Sequence, residues 1–167
     1  MLLSKLDVKE VTELELFLHK VDEDFQPTLS SRVDIKNYAQ KLICNAIIFK
    51  AYKTSKIIGL VACYANDSSK TNAYIPFIAV DRDFRGYGIG EILLSKLLDE
   101  LKNYNFKKLS LTVRKNSDAF YFYKKVGFDI DSDFKYKNTD IVTKHRKYQS
   151  HHDRCNEQDR IDGCPDS

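Results

Sequence analysis

Val80-Asp81-Arg82-Asp83-Phe84-Arg85-Gly86-Tyr87-Gly88-Ile89-Gly90 is the stretch on which the fold turns. An apolar run, 74–80, leads into it. A periodic segment leads out, with Ile92, Leu93, Leu94, Leu97, Leu98, Leu101 and Tyr104 at helical spacing. The order is therefore strand, glycine-rich turn, helix N-terminus. The first N–H groups of a helix lack internal partners, and the helix dipole places partial positive charge there. Glycines let a backbone approach an anion without Cβ atoms in the way. Such a turn suits a phosphate or pyrophosphate.

A glycine turn with no ligand is the plainer alternative, and short glycine motifs often mean no more than that. Arg85 weighs against it by placing a guanidinium beside the turn. Among nucleotide sites, a P-loop fails because Gly-x-x-x-x-Gly-Lys-Ser/Thr is absent. A dinucleotide fingerprint fails because the third glycine comes one residue early and Glu91 stands in its place. A coenzyme A site remains.

Composition sets wider bounds. At 167 residues, 43% of them hydrophobic, with 10 Phe and 10 Tyr, the chain suits one domain with a real core. The net charge of +3 is small and its basic residues are scattered, so no nucleic-acid partner is expected. No apolar run approaches the ~20 residues of a membrane span, and the first residues do not resemble a signal peptide. Cys44, Cys63, Cys155 and Cys164 have neither metal nor disulfide spacing, which points to a reduced, cytoplasmic protein. His151, His152, Cys155 and Cys164 are poorly spaced for zinc, and no metal is expected.

Along the chain, Val8, Val11, Leu14, Phe17, Leu18 and Val21 mark a first helix. A polar linker, 22–31, contains Pro27. Ser31-Arg32-Val33-Asp34 resembles a capping box opening a second helix that runs to about Ile43. Strands are expected at 46–52, 56–64 and 72–80, the first two joined by a short hairpin at 53–55. Pro76 cannot donate to a ladder, so the third strand should break or splay near its end. A strand at 108–113 follows the central helix and should lie parallel to the one ending at Val80. A last helix, 118–126, is capped by Asn116 or Ser117 and stopped by Gly127. Strands at 128–130 and 140–144 complete the domain, 1–148. The polar remainder, 149–167, is expected to be a disordered tail.

Two motifs make a resemblance specific. Arg85-Gly86-Tyr87-Gly88-Ile89-Gly90 matches a Gln/Arg-x-x-Gly-x-Gly/Ala signature. Asn116-Ser117-Asp118-Ala119-Phe120-Tyr121-Phe122-Tyr123-Lys124-Lys125-Val126-Gly127-Phe128 matches Asn-x-x-Ala-x-x-x-Tyr-x-x-x-Gly-Phe. Together, with matching element order over residues 8–145, they resemble the GNAT superfamily of acetyl-CoA-dependent N-acetyltransferases. The resemblance implies an α/β (α+β) fold: a mixed, mostly antiparallel sheet of about six to seven strands, flanked by about four helices. The sheet would be splayed between the strand ending at Val80 and the strand 108–113.

The resemblance also implies acetyl-CoA as co-substrate and a small-molecule primary amine as acceptor. Ile78 and Val80 would bond pantetheine through the main chain, with Ile78 in the oxyanion region. Arg85, Gly86, Tyr87, Gly88, Ile89 and Gly90 would hold the phosphates. Asn116 would bond the pantetheine, and Tyr123 would lie near the sulfur and protonate the leaving thiolate. Tyr123 could instead be only a core residue of an aromatic helix. Many relatives carry a glutamate base on the strand equivalent to 74–78; this chain has Tyr74-Ile75-Pro76-Phe77-Ile78. Glu23 or Asp24 in the linker, or a water relay, would then have to serve. A non-catalytic acyl-CoA-binding or sensing module on the same fold is the alternative, as the missing carboxylate suggests. The acidic linker 22–31 and the loop 131–140 would shape the acceptor pocket. Monomer and homodimer both stay open.

Overall fold

A computed structural model describes residues 1–130 and 141–147. The elements are β1 (Leu2–Lys5), α1 (Val11–Lys20), α2 (Ile35–Asn45), β2 (Ile47–Lys53), β3 (Lys56–Tyr64), β4 (Asn72–Val80), α3 (Ile89–Asn103), β5 (Lys108–Arg114), α4 (Asp118–Lys125), β6 (Asp129–Ile130) and β7 (Ile141–Lys147). The sheet order is β1-β2-β3-β4-β5-β7-β6, and every pairing is antiparallel except β4 with β5. The mixed, mostly antiparallel sheet with four helices is the class expected from sequence.

Helices cover both faces of the sheet. On one, Leu93, Leu94, Leu97 and Leu101 of α3 pack with Tyr123, Phe128 and the strand residues Val61, Ile75, Leu109 and Leu111. On the other, Leu14 and Leu18 of α1 and Ala39 and Leu42 of α2 pack on Leu60 and Phe77. Truncating a fully buried leucine of this kind to alanine typically costs ~2–5 kcal/mol.

Local chemistry explains most boundaries. Thr54 and Ser55 both take positive φ (50° and 60°), the geometry of a two-residue hairpin turn between β2 and β3. Gly127, at φ 92°, ends α4. Two expectations change, and one choice is made. α2 starts after Asp34, whose side chain accepts from Asn37 N–H at 2.8 Å, so the capping-box reading of Ser31 does not hold. The reciprocal box forms instead at Asp7 and Glu10. Of the two cap candidates for α4, Ser117 is the one used, accepting from Phe120 N–H at 3.2 Å. β1 was not anticipated; its four residues carry no alternation strong enough to mark a strand, and pairing with β2 creates it. Residues 131–140 and the tail 149–167 lie outside the described residues.

The seam between β4 and β5 positions the site. Tyr74 pairs with Tyr64 and Phe77 with Ala62, so β4 advances three residues where β3 advances two. That is a β-bulge at Ile75 and Pro76, where a proline is tolerated. Side-chain alternation shifts there: Ala73 and Ile75 face α3, whereas Phe77 faces α1 and α2. Parallel pairing with β5 covers Asn72 to Ile75 and ends there, while β3 stays paired as far as Val80. The seam therefore opens where Pro76 stands.

Candidate active site

Asp81 N–H donates to Ile58 C=O at 2.9 Å, on the β3 side. Successive peptide groups of a strand point to opposite edges. Ala79 N–H therefore also faces β3, and the N–H groups of Ile78 and Val80 face the open seam. In keeping with this polarity, Val80 C=O accepts from Arg85 Nε at 2.9 Å.

At the end of β4 the glycine turn begins. Asp81 is 3% exposed and pairs with Lys20 of α1. Its other oxygen accepts from Asp83 N–H at 3.2 Å. Gly86 and Gly88 have φ of 83° and 75°, which other residues adopt at a cost, and a Cβ on either would meet nothing within 4 Å. Gly88 is the N-cap of α3, and no side chain fills the cap. Ile92 N–H is the first of that helix to reach back, at 3.0 Å from Gly88 C=O. The turn is thus an open, donor-rich concavity. Gly90 has another reason to be glycine: a Cβ there would lie 3.1 Å from Phe122 Cζ, so it sets how closely α3 meets α4.

In the core on the α3 face, Tyr123 of α4 packs against Phe122 and Phe128, at ring separations of 5.3 and 5.6 Å. Burial pushes its phenol well above the usual tyrosine value, so it stays protonated. Among the described residues, Asn72 Oδ1 is the one buried side-chain polar atom without a partner. Asn116 is exposed, at φ 58°, in the turn that joins β5 to α4.

On the α1/α2 face the seam is lined by rings. Phe25 and Tyr38 lie 5.4 and 6.4 Å from Phe77, and Tyr74 Oη donates to Thr112 Oγ1 at 3.2 Å. Tyr38 Oη makes a long contact, 3.5 Å, with Pro76 C=O. Burial raises the phenols of Tyr38 and Tyr64.

The linker acids are placed differently from expectation. Asp24 accepts from Arg82 Nη2 at 2.7 Å and from Arg85 Nη2, so both of its oxygens are engaged. Asp22 accepts from Ser30 N–H at 2.7 Å and from Ser30 Oγ at 2.6 Å. Glu23 is exposed in the field of Arg82. Asp22 and Asp24 are thus structural ties within the linker and to the end of β4. Arg85, expected beside an anion, spends its guanidinium on Val80 and Asp24. Sequence reasoning missed Phe25, Arg114 and Lys20; an aromatic residue inside a polar linker was the available signal for the first.

The profile of the acetyltransferase (GNAT) family matches residues 14–128. The chain belongs to the GNAT acetyltransferase family. An uncharacterized N-acetyltransferase, ycf52, of Pyropia yezoensis is 28% identical over 121 residues, covering 72% of this chain and 66% of that protein. The [ribosomal protein bS18]-alanine N-acetyltransferase of Haemophilus influenzae is 32% identical over 80 residues, covering 48% and 53% respectively. The chain thus spans just under two thirds of the first relative's length and about half of the second's. Among solved structures, the PaiA N-acetyltransferase of Thermoplasma acidophilum in complex with coenzyme A superposes with a TM-score of 0.67 at 17% identity, covering 88% of this chain and 98% of that one. That likeness carries the fold of this GNAT domain. Family membership makes the domain one of the GNAT acetyltransferases. Among the described residues, no group of side chains is arranged to hold a metal, and no helix is long and apolar enough to cross a membrane.

Proposed function

We propose that this protein transfers the acetyl group of acetyl-CoA to a primary amine on a small molecule. One observation supports the reading: the seam opens at Pro76, so that Ile78 and Val80 turn backbone donors into it, and β4 then runs into the glycine turn. Acetyl-CoA supplies a thioester: the amine attacks its carbonyl carbon, the C–S bond breaks, and an amide and the free thiol of coenzyme A result.

The residues present suit that co-substrate. Gly86, Tyr87, Gly88, Ile89 and Gly90 offer main-chain N–H groups to phosphates at an open turn. Val80 N–H and the exposed Asn116 flank the pantetheine path; Val80 C=O is held by Arg85. Ile78 N–H donates where negative charge develops on the carbonyl oxygen. Tyr123, kept protonated by burial, gives its proton to the departing sulfur. Asp24 is spoken for by two guanidinium groups, which leaves water in the seam, or water relayed to Glu23, to take the amine proton. Free thiols at Cys44 and Cys63 suit a reducing compartment, and we place the reaction in the cytoplasm.

A polypeptide N-terminus is a second acceptor class, favoured by the alanine N-acetyltransferase activity named for the Haemophilus relative. A screen with acetyl-CoA, small amines and peptides beginning with alanine, read by thiol release, separates the two. Turnover of small amines supports the first reading. Turnover of the peptides alone transfers the site to protein ends. Coenzyme A binding with no turnover at all would leave a sensing module.

A further inference from the structure

Residues 24–26 cross the open end of the seam. On the β4 side, Asp24 takes hydrogen bonds from Arg82 and Arg85, which follow the end of that strand. On the β5 side, Arg114, the last residue of that strand, donates from Nη2 to Gln26 C=O at 2.6 Å. Between them Phe25 is extended, φ −97° and ψ 145°, and its ring packs on Phe77. Two residues of extended chain span about 7 Å, more than the ~4.8 Å between paired strands. The segment therefore bridges a gap that the sheet itself has left open.

The fastening is directional. Asp24 is the shielded member of its cluster, with its side chain 13% exposed against 72% for Arg82 and 46% for Arg85. Isolated surface ion pairs are worth little, but a shielded carboxylate shared by two guanidinium groups forms a network. The other anchor comes from a residue 88 positions away in the chain. Neither tie follows from local structure, and both point at the same three residues.

Resting on the N-acetyltransferase reading, we propose that Asp24 and Arg114 are positioning residues. They hold the strap 24–26 as the acceptor-side wall, and that wall admits an amine borne on an apolar body. The wall's surface is aromatic: Phe25, Tyr38, Tyr64 and Tyr74 present rings on this face, and the nearby carboxylates of Asp22 and Asp24 are already engaged. Among the described residues, it holds no row of free carboxylates of the kind a polyamine would require.

The test uses phenethylamine and spermidine as acceptors, and three proteins besides the unmodified one: Asp24→Asn, Arg114→Gln and the double variant. Asp24→Asn keeps shape and removes charge. Each single change should raise the KM for phenethylamine about tenfold, with kcat and coenzyme A affinity within about twofold. The double variant should add little to either, because loosening one end already frees the strap, whereas independent sites add. Amide exchange at Phe25 to Ser30 should accelerate in each variant while that of α3 does not. Unchanged exchange and unchanged KM would overturn the strap. A fall in melting temperature with KM unaltered would make the anchors merely structural. Spermidine outperforming phenethylamine would overturn the apolar wall. Failure of the unmodified protein to turn over any amine counts against the enzyme reading instead, and amide exchange then still decides whether the anchors hold the strap.

Discussion

On the α3/α4 face of the open seam the groups that matter belong to the backbone: the N–H groups of Ile78 and Val80, and those of the glycine turn at the start of α3. On the α1/α2 face they are side chains gathered from separate segments: Asp24 and Phe25 from the linker, Tyr38 from α2, Phe77 from β4, Arg114 from β5. In the proposed reaction the first face takes the part common to a family, coenzyme A, because any chain that makes the turn presents the same donors. The second depends on side-chain identity: Phe77 and Tyr38 are tied into the core, whereas Asp24 and Phe25 lie outside the strands and α-helices, where a change costs the scaffold least. A rigid scaffold with variable loops at its opening commonly carries binding specificity in this way.

The sharpest way to break this contrast is Tyr123→Phe, on the backbone-built face but acting through a side chain. The ring stays packed against Phe122 and Phe128. We expect kcat to fall by roughly 10²–10⁴-fold, with coenzyme A affinity and melting temperature unchanged. Loss of stability with turnover per folded molecule intact would make Tyr123 a packing residue.

Next in size is Gly88→Glu. It places a carboxylate in the open concavity and forces a left-handed backbone on a residue with a Cβ. Like-charge juxtaposition costs several kcal/mol, so coenzyme A affinity should drop about 100-fold or more by calorimetry, with the fold retained by circular dichroism. Gly88→Ala separates backbone strain from charge and should cost far less affinity. Equal losses would mean that the turn's shape, not its charge, is what matters.

A smaller effect tests a local device. Asp67 accepts from Ser69 N–H, Thr71 N–H and Asn72 N–H at 3.0, 3.0 and 3.1 Å in the loop before β4, and these bonds with that of Ser69 Oγ lower its carboxyl to about 2. Between the ordinary carboxylate value and 2 the unfolded chain binds more protons here than the folded one, so stability rises with pH across that window. The contribution is complete above about pH 4 and is lost as pH falls through about 2. Asp67→Asn should therefore lower the melting temperature at pH 7, and the gap from the unmodified protein should close in acid. A gap independent of pH would assign the effect to loop shape.

The smallest expected effect is none. Removing residues 149–167, which contain one aliphatic residue, Ile161, should leave melting temperature and coenzyme A affinity unchanged. A large fall would bring the tail into the comparison as a third component of the site.

The strand, glycine turn and helix around Gly88 were legible in the sequence because each depends on neighbours within a few residues: apolar alternation, positive φ at Gly86 and Gly88, leucines at helical spacing in α3. Pro76 told in advance that β4 would leave a neighbour, since a missing N–H is a property of one residue. The same sequence did not show that Asp24 would be held by Arg82 and Arg85, or that Arg114 would meet Gln26. In one dimension those were an acid in a polar linker and a base at a strand end, either of which is ordinarily solvated. Only the folded chain brings residues 61 and 88 positions apart within hydrogen-bond reach and shields Asp24 enough to give its charge a fixed partner. Local sequence set the site that the backbone builds, and tertiary packing set the wall that faces the acceptor.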